Sequence, residues 1–252
     1  MTAPLFVHGA VAGARTGEEL WLEGPEGRHA VSVKRLRIGE ELILADGLGH
    51  GVAGEVVAVE GRDRLRAVVT AVRREPVPEP PVTVVQALPK GDRGEVAVET
   101  LTETGVDTIV PWQAARCVTR WRAERGEKAL TKWRNTAREA GKQSRRLRFP
   151  EVTGAHTTEG VAALIAGAIA AGGTALVLHE SASVPLVRAL DPTTGGPVVL
   201  VVGPEGGIAP EELTALGEAG ARPVRLGPAV LRTSTAGTVA AAVVLSRTPR
   251  WA

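Results

Sequence analysis

The chain has 252 residues and is 44% hydrophobic, enough for one large domain or for a small and a medium one, each with a buried core. Only 3% of the residues are aromatic, with no Tyr, two Phe and five Trp, so the core must be built from Ala, Val and Leu and each Trp needs a reason. The one cysteine, Cys117, excludes an intrachain disulfide framework and a cysteine-based zinc cluster and suits a reducing compartment, which reads as cytoplasmic.

Taken in chain order, Met1 to Ala14 has no basic residue ahead of its short apolar stretch and does not form a signal peptide pattern. From Leu5 to about Val72, short Val, Leu and Ile runs such as Glu41 to Ala45 and Gly54 to Val59 alternate with Gly and Asp-Gly turns, as in a small β-barrel or sandwich. Residues 1–73 are therefore expected to form a first domain. The segment Glu75-Pro-Val-Pro-Glu-Pro-Pro81 cannot form helix, so residues 74–81 read as a stiff linker to a second domain at 82–252.

In that second part strand-like runs at Val82 to Leu88, Thr108 to Pro111, Thr174 to His179, Pro197 to Val202 and Arg222 to Leu226 alternate with helical segments. The alternation specifies an α/β domain with a parallel sheet, whose ligands sit at the carboxyl ends of the strands. Val161 to Leu178 carries no charge over eighteen residues, but Gly172-Gly173 divides it into an Ala-rich helix and a buried strand, against a membrane span.

Residues 116–148 hold twelve Lys or Arg against three Glu, nine net positive charges in a chain whose total is +2. This is either a nucleic-acid footprint or a solvated helix face. Within 124–146 the apolar residues Ala129, Leu130, Trp133, Ala137 and Ala140 recur at helical spacing, with Lys128, Lys132, Arg138, Lys142 and Arg145 on another stripe. Trp112 and Trp121 could offer stacking surfaces beside these cations, whereas Trp133 falls on the core stripe.

Two loops after strands could carry chemistry. Gly203-Pro204-Glu205-Gly206-Gly207 precedes a helix opened by Pro210-Glu211-Glu212, and is neither of the common nucleotide-binding glycine patterns. Leu226-Gly227-Pro228-Ala229-Val230-Leu231-Arg232-Thr233-Ser234-Thr235-Ala236 leads into an Ala-rich helix that its hydroxyl residues could cap. Capping does not call for Arg232, which is a candidate for catalysis, for an RNA-phosphate contact or for a surface ion pair.

These two motifs together resemble the ribosomal RNA uridine-N3 methyltransferases. The segment Glu139-Ala-Gly-Lys-Gln143-Ser-Arg-Arg146 with Pro150, and the turn Glu103-Thr-Gly-Val106, are similar to further motifs of that family. In the first domain His29-Ala, Val33-Lys-Arg35, Gly39-Glu and Asp46-Gly47 resemble its amino-terminal barrel of PUA type. Thr100, Thr104, Cys117 and Ser234 depart from the family's usual Lys, Leu, Ser and Glu; these departures leave the methyl-donor site intact and bear on RNA contacts.

The resemblance implies a SPOUT-type parallel sheet with a carboxyl-terminal trefoil knot, a homodimer, S-adenosylmethionine as cofactor and 16S ribosomal RNA, within the small subunit, as partner. The small-residue helix Thr235 to Val244 could serve the dimer or be an ordinary buried helix. Cofactor contacts are implied for Leu178, His179, Glu180, Gly203, Pro204, Glu205, Gly206, Gly207, Leu226, Gly227, Leu231, Thr233, Thr235 and Ala236. RNA contacts are expected from Arg35, Arg116, Arg138, Lys142, Arg145 and Arg146.

Methylating uracil at N3 requires loss of a weakly acidic imide proton and in-line placement of the nitrogen, work for positioning and electrostatics with no metal. Arg232 is the candidate for stabilising the uracil anion and Glu205 a weaker candidate for accepting the proton. Two rival readings remain at the level of sequence: a ribose 2'-O RNA methyltransferase of the same fold, and a non-catalytic RNA-binding module of ribosome assembly.

Overall fold

The structure, a computed structural model, describes residues 3–190 and 195–251 and divides into two compact units. Met1 and Thr2, the start of the segment read for a leader, lie outside the described residues. Unit one comprises 1–77 and 141–149, and unit two 78–140 and 150–252. The return of 141–149 to the first unit differs from the contiguous second domain expected at 82–252.

The first unit contains β1 (Leu5–Val7), β2 (Glu19–Leu22), α1 (Gly24–Arg28), β3 (Glu41–Ala45), β4 (His50–Glu60) and β5 (Arg64–Arg74), in the sheet order β1-β3-β4-β5-β2. β1 runs parallel to β3 and the other pairs are antiparallel. Register shifts in β4 after Ala53 and Val56 bend the sheet, and the His8 ring at 2.9 Å from the Trp21 carbonyl joins its two edges by a side chain. Phe6, Leu22, Leu42, Leu44, Val52, Val56 and Leu65 fill the inside of the curl.

Trp21 carries the guanidinium groups of Arg64 and Arg66 over its ring at 4.7 and 5.3 Å, which accounts for one of the five tryptophans. The Asp46 turn is held by the Leu48 and His50 amides and the His50 ring. Burial works against ionisation of Asp46, but those donors outweigh it and hold its carboxyl below the ordinary range. The chain returns to this turn at 141–149 because Phe149 packs on Gly47 and Gly141, and the Phe149 amide donates to the Gly47 carbonyl at 2.9 Å.

The second unit runs β6 (Val82–Ala87), α2 (Arg93–Thr104), β7 (Thr108–Trp112), α3 (Ala123–Gln143), β8 (Glu151–Val152), α4 (Thr158–Ala170), β9 (Thr174–Leu178), α5 (Leu186–Ala189), β10 (Val198–Val202), α6 (Pro210–Glu218), β11 (Arg222–Val224) and α7 (Thr233–Leu245). The six strands are parallel in the order β11-β9-β10-β6-β7-β8. α7 packs on β6, β10 and α2, while α4 packs on β9, β10 and α6. With both faces covered, central strands such as β10, Val-Val-Leu-Val-Val, are apolar throughout and buried throughout.

The short strand β8 was not among the expected ones. The charge-free stretch resolves into α4, a turn and β9, and among the described residues no helix is long and apolar enough to cross a membrane. Trp112 is fully buried at the end of β7, correcting its reading as a stacking surface. Trp133 is 3% exposed and meets Trp121 edge to face with centroids 5.0 Å apart, so this pair also belongs to packing. Cys117 is buried, and burial pushes its thiol above the ordinary pKa.

Candidate active site

A cleft of about 600 Å³ opens at the carboxyl ends of β9, β10 and β11, within the second unit. Its walls are Leu178, His179 and Glu180 after β9, Val202 to Glu205 with Gly207 and Ile208 after β10, and Arg225 to Thr233 with Ala236 after β11. A parallel sheet gathers these loops because all its strands end on the same side. Gly207 has φ +74°, a left-handed conformation that lets the loop turn back under the cleft at no steric cost.

Of the residues expected around the cofactor, all but Gly206 and Thr235 line this cleft, as do Arg232 and Glu205. Glu205 is exposed and its Oε1 accepts the Lys90 amide at 3.2 Å. His179 donates its amide to the Val224 carbonyl at 3.0 Å, while its Nδ1 accepts the Ser181 amide at 3.3 Å, so the neutral ring carries its proton on Nε2.

The hydroxyl residues before the Ala-rich helix do not cap it. The cap position is Arg232, with no side-chain cap bond; its carbonyl accepts the Thr235 and Ala236 amides at 2.9 Å each, and Thr233 and Ser234 are buried in the first turn. Beneath them the buried Gln86 donates from Nε2 to the carbonyls of Thr233 at 3.2 Å and Ala87 at 3.1 Å. The end of β6 thus holds the start of α7, and the Arg232 side chain is left exposed at the cleft.

Sequence reasoning missed Lys90 and Arg93, which line the cleft from the β6–α2 connection. The signal was available: Lys90-Gly-Asp-Arg93 follows a parallel strand, and every such loop opens on the same side. With Arg225 and Arg232 they bring four cationic side chains to a cleft that also holds Glu180 and Glu205.

The six residues expected to contact RNA are not equivalent. Arg35, Arg116, Arg138 and Arg145 are exposed and Arg146 is half-buried. Lys142 is 5% exposed, with its ammonium 3.1 Å from Glu26 Oε1, which corrects its placement on a solvated basic stripe: its charge is neutralised inside the first unit. Lys128 and Lys132, from the same stripe, pair with Glu124 at 2.7 Å and Glu95 at 2.9 Å. Arg116 donates to the Gly206 carbonyl at 3.3 Å.

A family model described as an RNA methyltransferase domain matches residues 76–245, and one described as an RNA methyltransferase PUA domain matches 22–70. Fold and cleft together thus define an RNA methyltransferase, an enzyme. A relative from Mycobacterium tuberculosis, ribosomal RNA small subunit methyltransferase E, is 50% identical over 94% of this chain and 89% of its own length. The protein of that name from Neisseria gonorrhoeae, solved bound to S-adenosyl methionine, superposes with TM-score 0.83 at 26% identity, covering 97% and 98% of the two chains. A protein from Legionella pneumophila, solved with bound SAM as cofactor, gives 0.84 at 26% identity over 98% and 99%. The chain belongs to the ribosomal RNA small subunit methyltransferase E family.

Proposed function

We propose that this enzyme transfers the methyl group of S-adenosylmethionine to N3 of a uridine in 16S ribosomal RNA, within the small ribosomal subunit. The observation that carries the reading is the convergence of three loops after β9, β10 and β11 on one cleft. Its volume lies within the range of about 300–1,000 Å³ common to small-molecule sites. The apolar Leu178, Val202, Ile208, Leu226 and Leu231 suit an adenine ring and thioether, and Glu180 and Glu205 supply acceptors and negative charge compatible with a sulfonium.

When bound, S-adenosylmethionine supplies an electrophilic methyl group. The protein's part is to hold the uracil in line, to accept its N3 proton and to stabilise the anion that remains. Glu205 is assigned as proton acceptor and Arg232 as the positive charge beside the anion, both on the cleft wall. Leu178 to Glu180, Gly203 to Gly207, Leu226, Gly227, Leu231, Thr233, Thr235 and Ala236 are assigned to cofactor binding, mainly through loop backbone.

The RNA grip is assigned to Arg35, Arg138, Arg145 and Arg146. Changing Arg138 and Arg145 together to alanine is expected to reduce the slope of log affinity against log salt by about 1.5, since each lost phosphate contact removes about 0.7–0.9. Lys142→Met is expected to leave that slope unchanged and to cost about 2–3 kcal/mol of stability through loss of the buried ion pair with Glu26, whose Oε2 also accepts the Val7 amide at 3.3 Å. Filter binding from low to moderate salt, with thermal melts alongside, reads both; a slope lowered by Lys142→Met would return that residue to the RNA surface.

A carboxyl-terminal trefoil knot, a homodimer and a cytoplasmic location belong to the same reading. The dimer is supported by Val96 on α2 and Val239 on α7, 43% and 41% exposed on two helices that pack together. The buried reduced Cys117 suits the cytoplasm. The test of function is incubation with S-adenosylmethionine and small subunits lacking the modification, followed by nucleoside mass spectrometry. 3-Methyluridine is expected; a 2'-O-methylated product, or no product without donor binding, would replace this reading by one of its rivals.

A further inference from the structure

Behind the cleft, the connection between β7 and α3 touches both of its lips, and we propose that Glu212 and Arg116 are positioning residues that set the shape of the 203–207 loop for the methyl donor. The proposal rests on the cofactor reading of the cleft given above.

Glu212, at the start of α6, is 7% exposed, so its carboxylate must be met by donors. Its Oε1 accepts the Ala115 amide at 2.8 Å and the Thr158 hydroxyl at 2.7 Å, and its Oε2 accepts the Ala209 amide at 3.2 Å. Trp112 Nε1 in turn donates to Thr158 Oγ1 at 3.2 Å. Closing the first turn of α6 needs only the Ala209 bond. The other two reach outward, to the N-terminus of α4 and to the connection after β7, and tie both to the helix that follows the 203–207 loop.

The residue after Ala115 is Arg116, whose guanidinium donates to the Gly206 carbonyl at 3.3 Å. A side chain at position 206 would begin 3.2 Å from both the Cβ and the carbonyl oxygen of Arg116, so the two backbones lie against each other. Arg120 fastens the same turn from outside, donating to the carbonyls of Ala114 at 3.1 Å and Ala115 at 2.6 Å. Three residues beyond Arg116, the Thr119 hydroxyl donates to the Pro89 carbonyl at 2.7 Å. The next residue, Lys90, donates its amide to Glu205. A circuit therefore runs from Glu212 through Ala115 and Arg116 to Gly206, and from Thr119 through Pro89 and Lys90 back to Glu205. Arg116, expected from sequence to bind RNA, acts here on the cofactor loop.

The test measures donor affinity by calorimetry, KM and kcat by methylation kinetics, and the salt slope of RNA binding, in wild type, Glu212→Gln, Arg116→Ala and Arg116→Lys. A carboxamide must turn a donor toward one of three donors, so Glu212→Gln is expected to raise Kd and KM for S-adenosylmethionine about tenfold, with kcat at saturation and RNA affinity unchanged. Arg116→Ala, at an exposed side chain that folding does not need, is expected to raise the donor Kd about threefold, with partial recovery in Arg116→Lys and no change in salt slope. Donor affinity unchanged in Arg116→Ala, with a salt slope lower by about one, would make Arg116 a phosphate contact and overturn the proposal. A Glu212→Gln protein with a lower Tm but wild-type donor affinity would overturn it equally. Failure of the wild type to bind the donor would overturn the cofactor reading itself, and this proposal with it.

Discussion

Replacement of Arg232 by alanine is expected to lower kcat about 100-fold while leaving S-adenosylmethionine affinity unchanged, the scale of effect found when a donor aimed at developing negative charge is removed. The backbone of residue 232 starts α7 through its carbonyl, which alanine keeps, and the side chain makes no cap bond. The loss therefore falls on the guanidinium. Gln86 holds the neighbouring Thr233 carbonyl from below, so the loop retains its course without the arginine. Single-turnover methylation at saturating donor measures the step, and Arg232→Lys, which keeps the charge but loses the fork, should recover part of it. Normal turnover with weaker, less salt-sensitive RNA binding would instead make Arg232 a phosphate contact.

Arg250→Ala is expected to lower the Tm of the second unit by about 5–10 °C, corresponding to about 2–3 kcal/mol. Its guanidinium forks onto Asp107 at 2.6 and 3.1 Å and donates to the carbonyls of Pro80 at 3.2 Å and Gly105 at 2.7 Å. Both side chains are largely buried, 14% and 12% exposed, so alanine would take the paired guanidinium away from a buried Asp107 carboxylate, which also accepts the Val82 amide at 2.8 Å. The tail beyond α7 is thereby joined to the entrances of β6 and β7. Arg250→Lys should recover little, because an ammonium cannot serve a carboxylate and two carbonyls in that planar arrangement. Thermal melts followed by circular dichroism decide it; an unchanged Tm would mean that water replaces the guanidinium without loss.

Much of the second unit was legible because burial on both faces of a parallel sheet leaves its mark on each strand separately. Val82–Ala87, Thr108–Trp112, Thr174–Leu178 and Val198–Val202 stand out as apolar runs, and α3 by its 3.6-residue stripe. β8 escaped notice because two residues, Glu151 and Val152, show no period. In the site, the glycine loop and the Leu226–Ala236 segment were visible as motifs, whereas Lys90 and Arg93 lay in a plain loop that only strand order brings to the cleft.

The charges divide the same way. Lys142 looked solvated because its stripe on α3 is polar, yet its partner Glu26 lies 116 residues away. Arg116 looked like part of a basic segment, and its carbonyl partner Gly206 is 90 residues on. What the chain determined by itself was what each segment becomes, since hydrophobic period and turn residues act over a few neighbours. Tertiary structure alone decided which loops share the cleft and which cations are neutralised, because those outcomes depend on contacts between residues far apart in the chain.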